Sequence, residues 1–301
     1  DNITISTGTG PGDVTFAKTV NSDGTTPANG LSINALLGIV RFDEEIGGTS
    51  PIGNFSVTSN EFLFDKLTSL DDVSITVQGN FESGSITAGG DMSISTTGDI
   101  TQKTGSILNI SGETTLASTT GDVKLDGENN DFGIINVSGK DVSLADKNGI
   151  TLGDIATTGT LGVEAVGTIS QTPTSTITAA GETTLASTTG DVKLDGENND
   201  FGIINVSGKD VSLADKNGIT LGDIATTGTL GVEAVGTISQ TPTSTITAAG
   251  ETTLASTTGD VKLDGENNDF GIINVSGKDV SLADKNGITL GDIATTGTLG
   301  V

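Results

Sequence analysis

Gly112–Ala180 reads GETTLASTTGDVKLDGENNDFGIINVSGKDVSLADKNGITLGDIATTGTLGVEAVGTISQTPTSTITAA, and the same 69 letters follow without a substitution at Gly181–Ala249. A third copy opens at Gly250 and runs to Val301. Within the copy, apolar residues alternate with polar ones: Val123 and Leu125 around Lys124, Val142 and Leu144 around Ser143, Ile150 and Leu152 around Thr151, Val163 and Ala165 around Glu164. A period of two places alternate side chains on opposite faces of an extended strand. Thr120-Gly121-Asp122, Ser138-Gly139-Lys140 and Lys147-Asn148-Gly149 interrupt the alternation with residues that favour turns. No apolar stripe of helical period is visible. Short strands, frequent turns and a fixed long period together mark a stacked repeat.

The copy divides into three units of similar length, Gly112–Ser138, Gly139–Thr158 and Gly159–Ala180. Each holds about three short strands, which is the content of one coil of a β-solenoid. The expectation is an all-β parallel β-helix of about 23 residues per coil, three coils per copy and about 13 coils in the chain, stacked about 4.8 Å apart. Its inward set in the copy is Leu116, Val123, Leu125, Ile134, Val142, Leu144, Ile150, Leu152, Leu161, Val163, Ile169 and Ile177. Composition fits a thin, elongated core: 33% hydrophobic residues, nine Phe, no Trp or Tyr, and 44 Gly. Residues 1–111 follow the same alternation without the identical copying, as at Val14 and Phe16, Val40 and Phe42, or Val73, Ile75 and Val77. They are read as divergent coils with projecting loops at Asn21–Gly30 and Gly47–Gly53, continuing into the repeats of residues 112–301 at a change of style near Ser111.

The net charge of −26 opposes binding to nucleic acid and to anionic membrane, so neither is expected as a partner. The longest apolar stretch, Ile33–Phe42, contains Asn34 and Arg41 and is far short of a membrane span. Cys and His are absent, and Arg41 is the sole arginine. A catalytic centre needs one asymmetric set of groups, whereas identical copies add length or valency, so no enzyme is expected. A polysaccharide-degrading β-helix, built on paired carboxylates, is the weaker third reading. Asp1 leads directly into the Ile3, Ile5 alternation, with no recognisable leader, and Val301 falls inside the third copy, so further repeats are expected beyond it.

Three recurring motifs are candidate sites. Asp126, Glu128, Asn130 and Asp131 form an acidic turn that returns as Asp195, Glu197, Asn199 and Asp200 and as Asp264, Glu266, Asn268 and Asp269. Oxygen donors at alternate positions suit Ca²⁺, the one candidate ion, although no cofactor is required and the distal Glu of an EF-hand is missing. A solvated turn of residues that tolerate left-handed backbone explains the same letters. Asn136, Asn205 and Asn274 stand in Asn-Val-Ser glycosylation sequons, a pattern frequent by chance in such a composition. Phe132, Phe201 and Phe270 offer an exposed binding strip or, more in keeping with the scarcity of bulky residues, core filling.

The runs Gly121-Asp-Val-Lys-Leu-Asp-Gly-Glu-Asn-Asn-Asp-Phe-Gly133, Val137-Ser-Gly-Lys-Asp-Val-Ser-Leu144 and Asn148-Gly-Ile-Thr-Leu-Gly153 resemble repeats of the filamentous-haemagglutinin-like large exoproteins. Gly12-Asp-Val-Thr-Phe16 and Gly47-Gly-Thr-Ser-Pro-Ile-Gly53 are similar to rungs of the same family. The resemblance implies a right-handed parallel β-helix in a secreted or surface-attached bacterial protein. The expected function is a non-enzymatic extracellular rod, a filament or adhesin shaft. Its partners would be further copies of itself or a neighbouring cell surface or glycan. A glycan- or cell-binding module acting by avidity is the alternative. Deletion of residues 181–249 is expected to shorten the rod by three coils.

Overall fold

A computed structural model describes residues 2–301, and they contain strands and turns but no helix. The chain forms two compact units, Asp1–Lys147 and Asn148–Val301. Each is a parallel β-solenoid, and together they make about 13 turns of about 21 residues. No helix is long and apolar enough to cross a membrane.

In the first unit one ladder of inward residues runs Leu31, Phe55, Val73, Met92, Thr114, Ile135, each paired in parallel with the next. A second runs Phe81, Ile100, Val123, Val142. Val14–Phe16, Ile39–Phe42 and Glu61–Leu63 form a separate small parallel sheet. Aromatic residues fill this unit. Phe16 stacks on Phe42 at 4.4 Å between ring centroids, and Phe62 stacks on Phe64 at 4.7 Å. Offset and edge contacts of this kind add to the area the rings bury. Asn21–Gly30 carries no strand, as expected of a loop. Gly47–Gly53 is a bend with Gly48 and Thr49 exposed, and it is anchored at its ends. Ile46 bridges Val20 and Leu67, Ile52 bridges Ser69, and both isoleucines are buried, so the apolar pair holds this segment against the coil.

The second unit shows how the identical copies stack. Val163 pairs with Leu185, Leu185 with Val206, and Val206 with Ile224. Three turns beyond Val163 the ladder therefore reaches Ile224, whereas the copy of Val163 is Val232, further along the chain. Val232 lies in another ladder, between Leu213 and Leu254. The expectation of longer coils, three to a copy, is thus corrected. The turn is shorter, about 21 residues, and a copy is longer than three turns. The cause is visible in the long strands. Ile177–Ser187, Asp200–Gly208 and Ile219–Thr226 each bend and serve two faces, so they use no loop residues at that corner. Ile219–Thr226, for example, pairs with Ile238–Gln240 through its first half and with Ile246–Ala248 through its second.

The same bend corrects one member of the inward set. Ile134 is 39% exposed, as is Ile203, while Ile135 and Ile204 are fully buried. The strand Asp131–Gly139 turns its corner at Gly133, so the alternation restarts one residue later than a straight strand would give. Leu116, Val123, Leu125, Val142 and Leu144 are buried in the first unit, as are Ile150, Leu152, Leu161, Val163, Ile169 and Ile177 in the second.

Candidate functional site

The acidic turn is organised around an inward asparagine. Asn130 is wholly buried, and its Oδ1 accepts from Gln102 Nε2 at 2.8 Å and from the Leu108 N–H at 3.0 Å. Its Nδ2 donates to Gln102 Oε1 at 2.9 Å and to the Leu125 carbonyl at 3.1 Å. Gln102 spans to the Ser106 carbonyl and accepts from the Gly127 N–H. The arrangement recurs with Gln171 and Asn199 and with Gln240 and Asn268, at closely similar distances. A buried primary amide with both ends satisfied locks two consecutive turns of chain together.

This geometry removes Asn130, Asn199 and Asn268 from the metal-binding set, because each amide oxygen already receives two N–H donors. The aspartates beside them face lysines: Asp131 with Lys147 at 2.8 Å, Asp200 with Lys216 at 2.9 Å, Asp269 with Lys285 at 2.7 Å. Asp126, with Ser143 Oγ 3.4 Å from its carboxylate, and Glu128 lie on the exposed side. They border a cleft of about 360 Å³ that is also lined by Lys103. Asp195, Glu197, Asp264 and Glu266 are exposed in the same way. Among the described residues, no group of three or more carboxylates is placed to hold a metal ion.

Phe132, Phe201 and Phe270 are buried and fill the core. Their N–H groups donate at 2.8 Å to Asp146, Asp215 and Asp284. Burial raises the Asp215 carboxyl above its usual range, against the pull of the Phe201 and Asn217 N–H groups.

The sequon asparagines bridge turns. Asn205 Nδ2 donates to Glu182 at 2.5 Å, and its Oδ1 accepts from the Asp223 N–H at 2.8 Å. Asn136 donates in the same way to Glu113, and Asn274 to Glu251. The nitrogen that a glycan would occupy is the one engaged in this bond.

A further set of residues was not singled out in the sequence: the aspartates that precede inward strands. Asn54 Oδ1 accepts from the Asp72 N–H, Asp72 Oδ1 from Asp91, and Asp91 Oδ1 from Glu113, at 2.8–3.0 Å. Asn80, Asp99 and Asp122 repeat the pattern at another corner. In the second unit Asp191 serves Asp210, and Asp210 serves Thr229; Asp260 serves Asp279, and Asp279 serves Thr298. The signal was present, as Asp72-Val73, Asp91-Met92, Asp99-Ile100 and Asp122-Val123, and again as Asp141-Val142 and Asp191-Val192. A carboxylate accepts without needing to donate, so it caps an orphan N–H at each corner without a competing demand. Asp210 and Asp279 are held below the usual carboxyl range, first by the backbone N–H of Thr229 and Thr298 and then by those hydroxyls. Asp122, Asp191 and Asp260 are lowered first by hydrogen bonds from Lys124, Lys193 and Lys262.

A family model described as repeats of unknown function (DUF5649) matches residues 70–138, 139–207 and 208–276. No curated protein and no solved structure matches the chain. The first matched repeat crosses Ser111 in the same 69-residue register. The inward residues agree: Val73, Phe81, Ile86, Met92, Ile100 and Leu108 are buried, as are Val142, Ile150, Ile155, Leu161, Ile169 and Ile177 one period later.

Proposed function

We propose that the chain, which belongs to the family of repeats of unknown function (DUF5649), is a non-enzymatic structural shaft, exposed on a bacterial surface or secreted from it. The observation that carries the reading is where the repeated chemistry of each copy goes. The buried Asn–Gln pairs and the corner aspartates are spent on bonds between turns. Identical copies add more of the same stacked surface. The extracellular filament or adhesin setting, with further copies or a neighbouring cell as partner, rests on the resemblance to the filamentous-haemagglutinin-like exoproteins. Antibody to the repeat should label intact source cells, and electron micrographs should show the antigen on projecting fibres. Labelling only after lysis would overturn the proposal.

A second reading, weak adhesion repeated for avidity, draws support from a shallow groove of about 350 Å³ on the outer face, lined in part by Thr184, Asn205, Ser207 and Asp223. Glycan binding that rises with copy number would favour it. No ion is required in either reading. The melting temperature is expected to agree between chelator and millimolar calcium at constant ionic strength. A calcium-dependent rise of several degrees would return the acidic turns to metal binding.

A further inference from the structure

We infer that the 69-residue copy is a screw element, which carries its outer surface about one third of a turn further round the solenoid each time it repeats. Identical surfaces then face three directions in succession, and the same face returns only at every third copy.

The inference follows from the strand ladders of the second unit. In the copy Gly181–Ala249 the inward segments are Thr183–Ser187, Val192–Leu194, Asp200–Phe201, Ile204–Ser207, Val211–Asp215, Ile219–Leu221, Ile224–Thr226, Leu230–Ala234, Ile238–Gln240 and Ile246–Ala248, which is ten. Three segments make a turn, so ten make three turns and one face. The outward residues show the result. Glu164 pairs with Ala186, Ala186 with Ser207, and Ser207 with Ala225, so three turns above Glu164 stands Ala225. The copy of Glu164 is Glu233, which lies between Ala214 and Ala255 on the next ladder. The displacement repeats: Glu233, Ala255, Ser276 and Ala294 follow one another as Glu164, Ala186, Ser207 and Ala225 do.

If the copies display a binding surface, as the avidity reading holds, the partner is thereby constrained. A flat partner meets like surfaces only at every third copy, ten turns apart, or about 48 Å at the spacing of stacked strands. Neighbouring copies are engaged together only by a partner that wraps round the axis, or by separate molecules on different sides. This consequence rests on the proposed display, whereas the screw itself does not.

Cysteine is absent from the chain, so spin labels can be placed without background. The intact protein would carry labels in pairs at Glu164→Cys with Ala225→Cys, and at Glu164→Cys with Glu233→Cys. The first pair spans three turns of one ladder, about 14 Å between backbones. The second combines about 16 Å along the axis with the offset between two faces, and is expected beyond about 20 Å. Dipolar broadening of the spectrum should therefore be strong for the first pair and weak for the second, with pulsed measurement giving the longer distance. The opposite order, with the copy-related pair the closer, would overturn the screw and return the copies to a single row. Ala186→Cys with Thr247→Cys, against Ala186→Cys with Ala255→Cys, repeats the comparison on other backbones should a first variant fold poorly. Loss of adhesion with these distances intact would sink the display reading and leave the screw standing.

Discussion

Asn199 and Thr183 are both wholly buried, and their polar groups have opposite effects. Asn199 satisfies the Ile177 N–H, the Leu194 carbonyl and both ends of Gln171, so removal of its amide strands several partners at once. Asn199→Leu is expected to lose about 3 kcal/mol, from buried groups left unpaired. The hydroxyl of Thr183 has no hydrogen-bond partner, and nor have those of Thr114 and Thr252. Thr183→Val, which keeps the shape and removes the orphan, should gain about 1 kcal/mol. Urea midpoints on the same background test both signs, and a destabilising Thr183→Val would show that its hydroxyl is satisfied in solution. The corner aspartates set the pH dependence. Asp210 and Asp279 have lowered folded values, so their bonds contribute fully above the unfolded carboxyl value of about 3.8 and are lost as pH falls through the folded value. Asp215 shifts the other way, since burial opposes its ionisation, and protonation relieves that cost. Acid unfolding should therefore begin below about pH 4, and Asp210→Asn with Asp279→Asn, which keeps an acceptor without the proton, should move the onset lower. An onset that does not move in a circular-dichroism titration would remove these carboxylates from the account.

At the scale of the strand, the decisive feature is the corner. A Cβ on Gly181 would lie 2.6 Å from the Gly159 carbonyl oxygen of the turn below, whereas a Cβ on Gly231 would have nothing nearer than 3.8 Å. Gly181→Ala should cost about 2 kcal/mol, because backbone must move at a close approach. Gly231→Ala, within Leu230–Ala234, should be neutral or stabilising by about 0.5 kcal/mol. Equal melting temperatures for the two variants would contradict the tight stacking at that corner. The corners also explain what could be read from the letters. Alternation located Val123, Val142, Leu161 and most other inward residues, because a straight strand between turns leaves its period in the sequence. It failed at Ile134, where a strand continues through a corner and the phase restarts without a turn residue other than Gly133. Asn130 reads as part of an acidic turn, either as a calcium ligand or as a solvated residue, whereas it is wholly buried. Burial of that amide depends on Gln102, on the preceding coil, and no local pattern announces such a partner. The coil comes out at about 21 residues rather than about 23 because the copy divides evenly into three only if each turn closes within it, whereas strands that bend through a corner shorten the turn.

For the molecule, the consequence is that copy number sets angle as well as length. Apart from Asp200–Phe201, whose place beside Ile219–Leu221 is taken by Ile203 and Ile204, the inward segments of the repeat pair with the segment three further along, and the residues that meet depend only on their position in the copy, not on the face they occupy. Deletion of residues 181–249 joins Ala180 to Gly250, a junction with the same neighbours as Ala180 and Gly181. No pair in the ladders meets a new partner: Leu161 would meet Thr252 as Leu230 does now, and Ala179 would meet Phe270 as Ala248 does now. A nearest-neighbour solenoid with unchanged interfaces keeps its stability per turn. The deleted protein should therefore unfold at a similar temperature with a smaller transition enthalpy. Its length should fall by three and a third turns, about 16 Å, rather than by three. The coils beyond the deletion should also turn: Ala294, now on the ladder of Glu233, would stand three turns above Glu164, in the place of Ala225. A label pair at Glu164→Cys and Ala294→Cys should then be far apart in the intact chain and about 14 Å apart in the deleted one. If the deleted chain folds but that pair stays distant, the corner at the junction has closed differently, and copies cannot be added or lost without rebuilding the pairs around them.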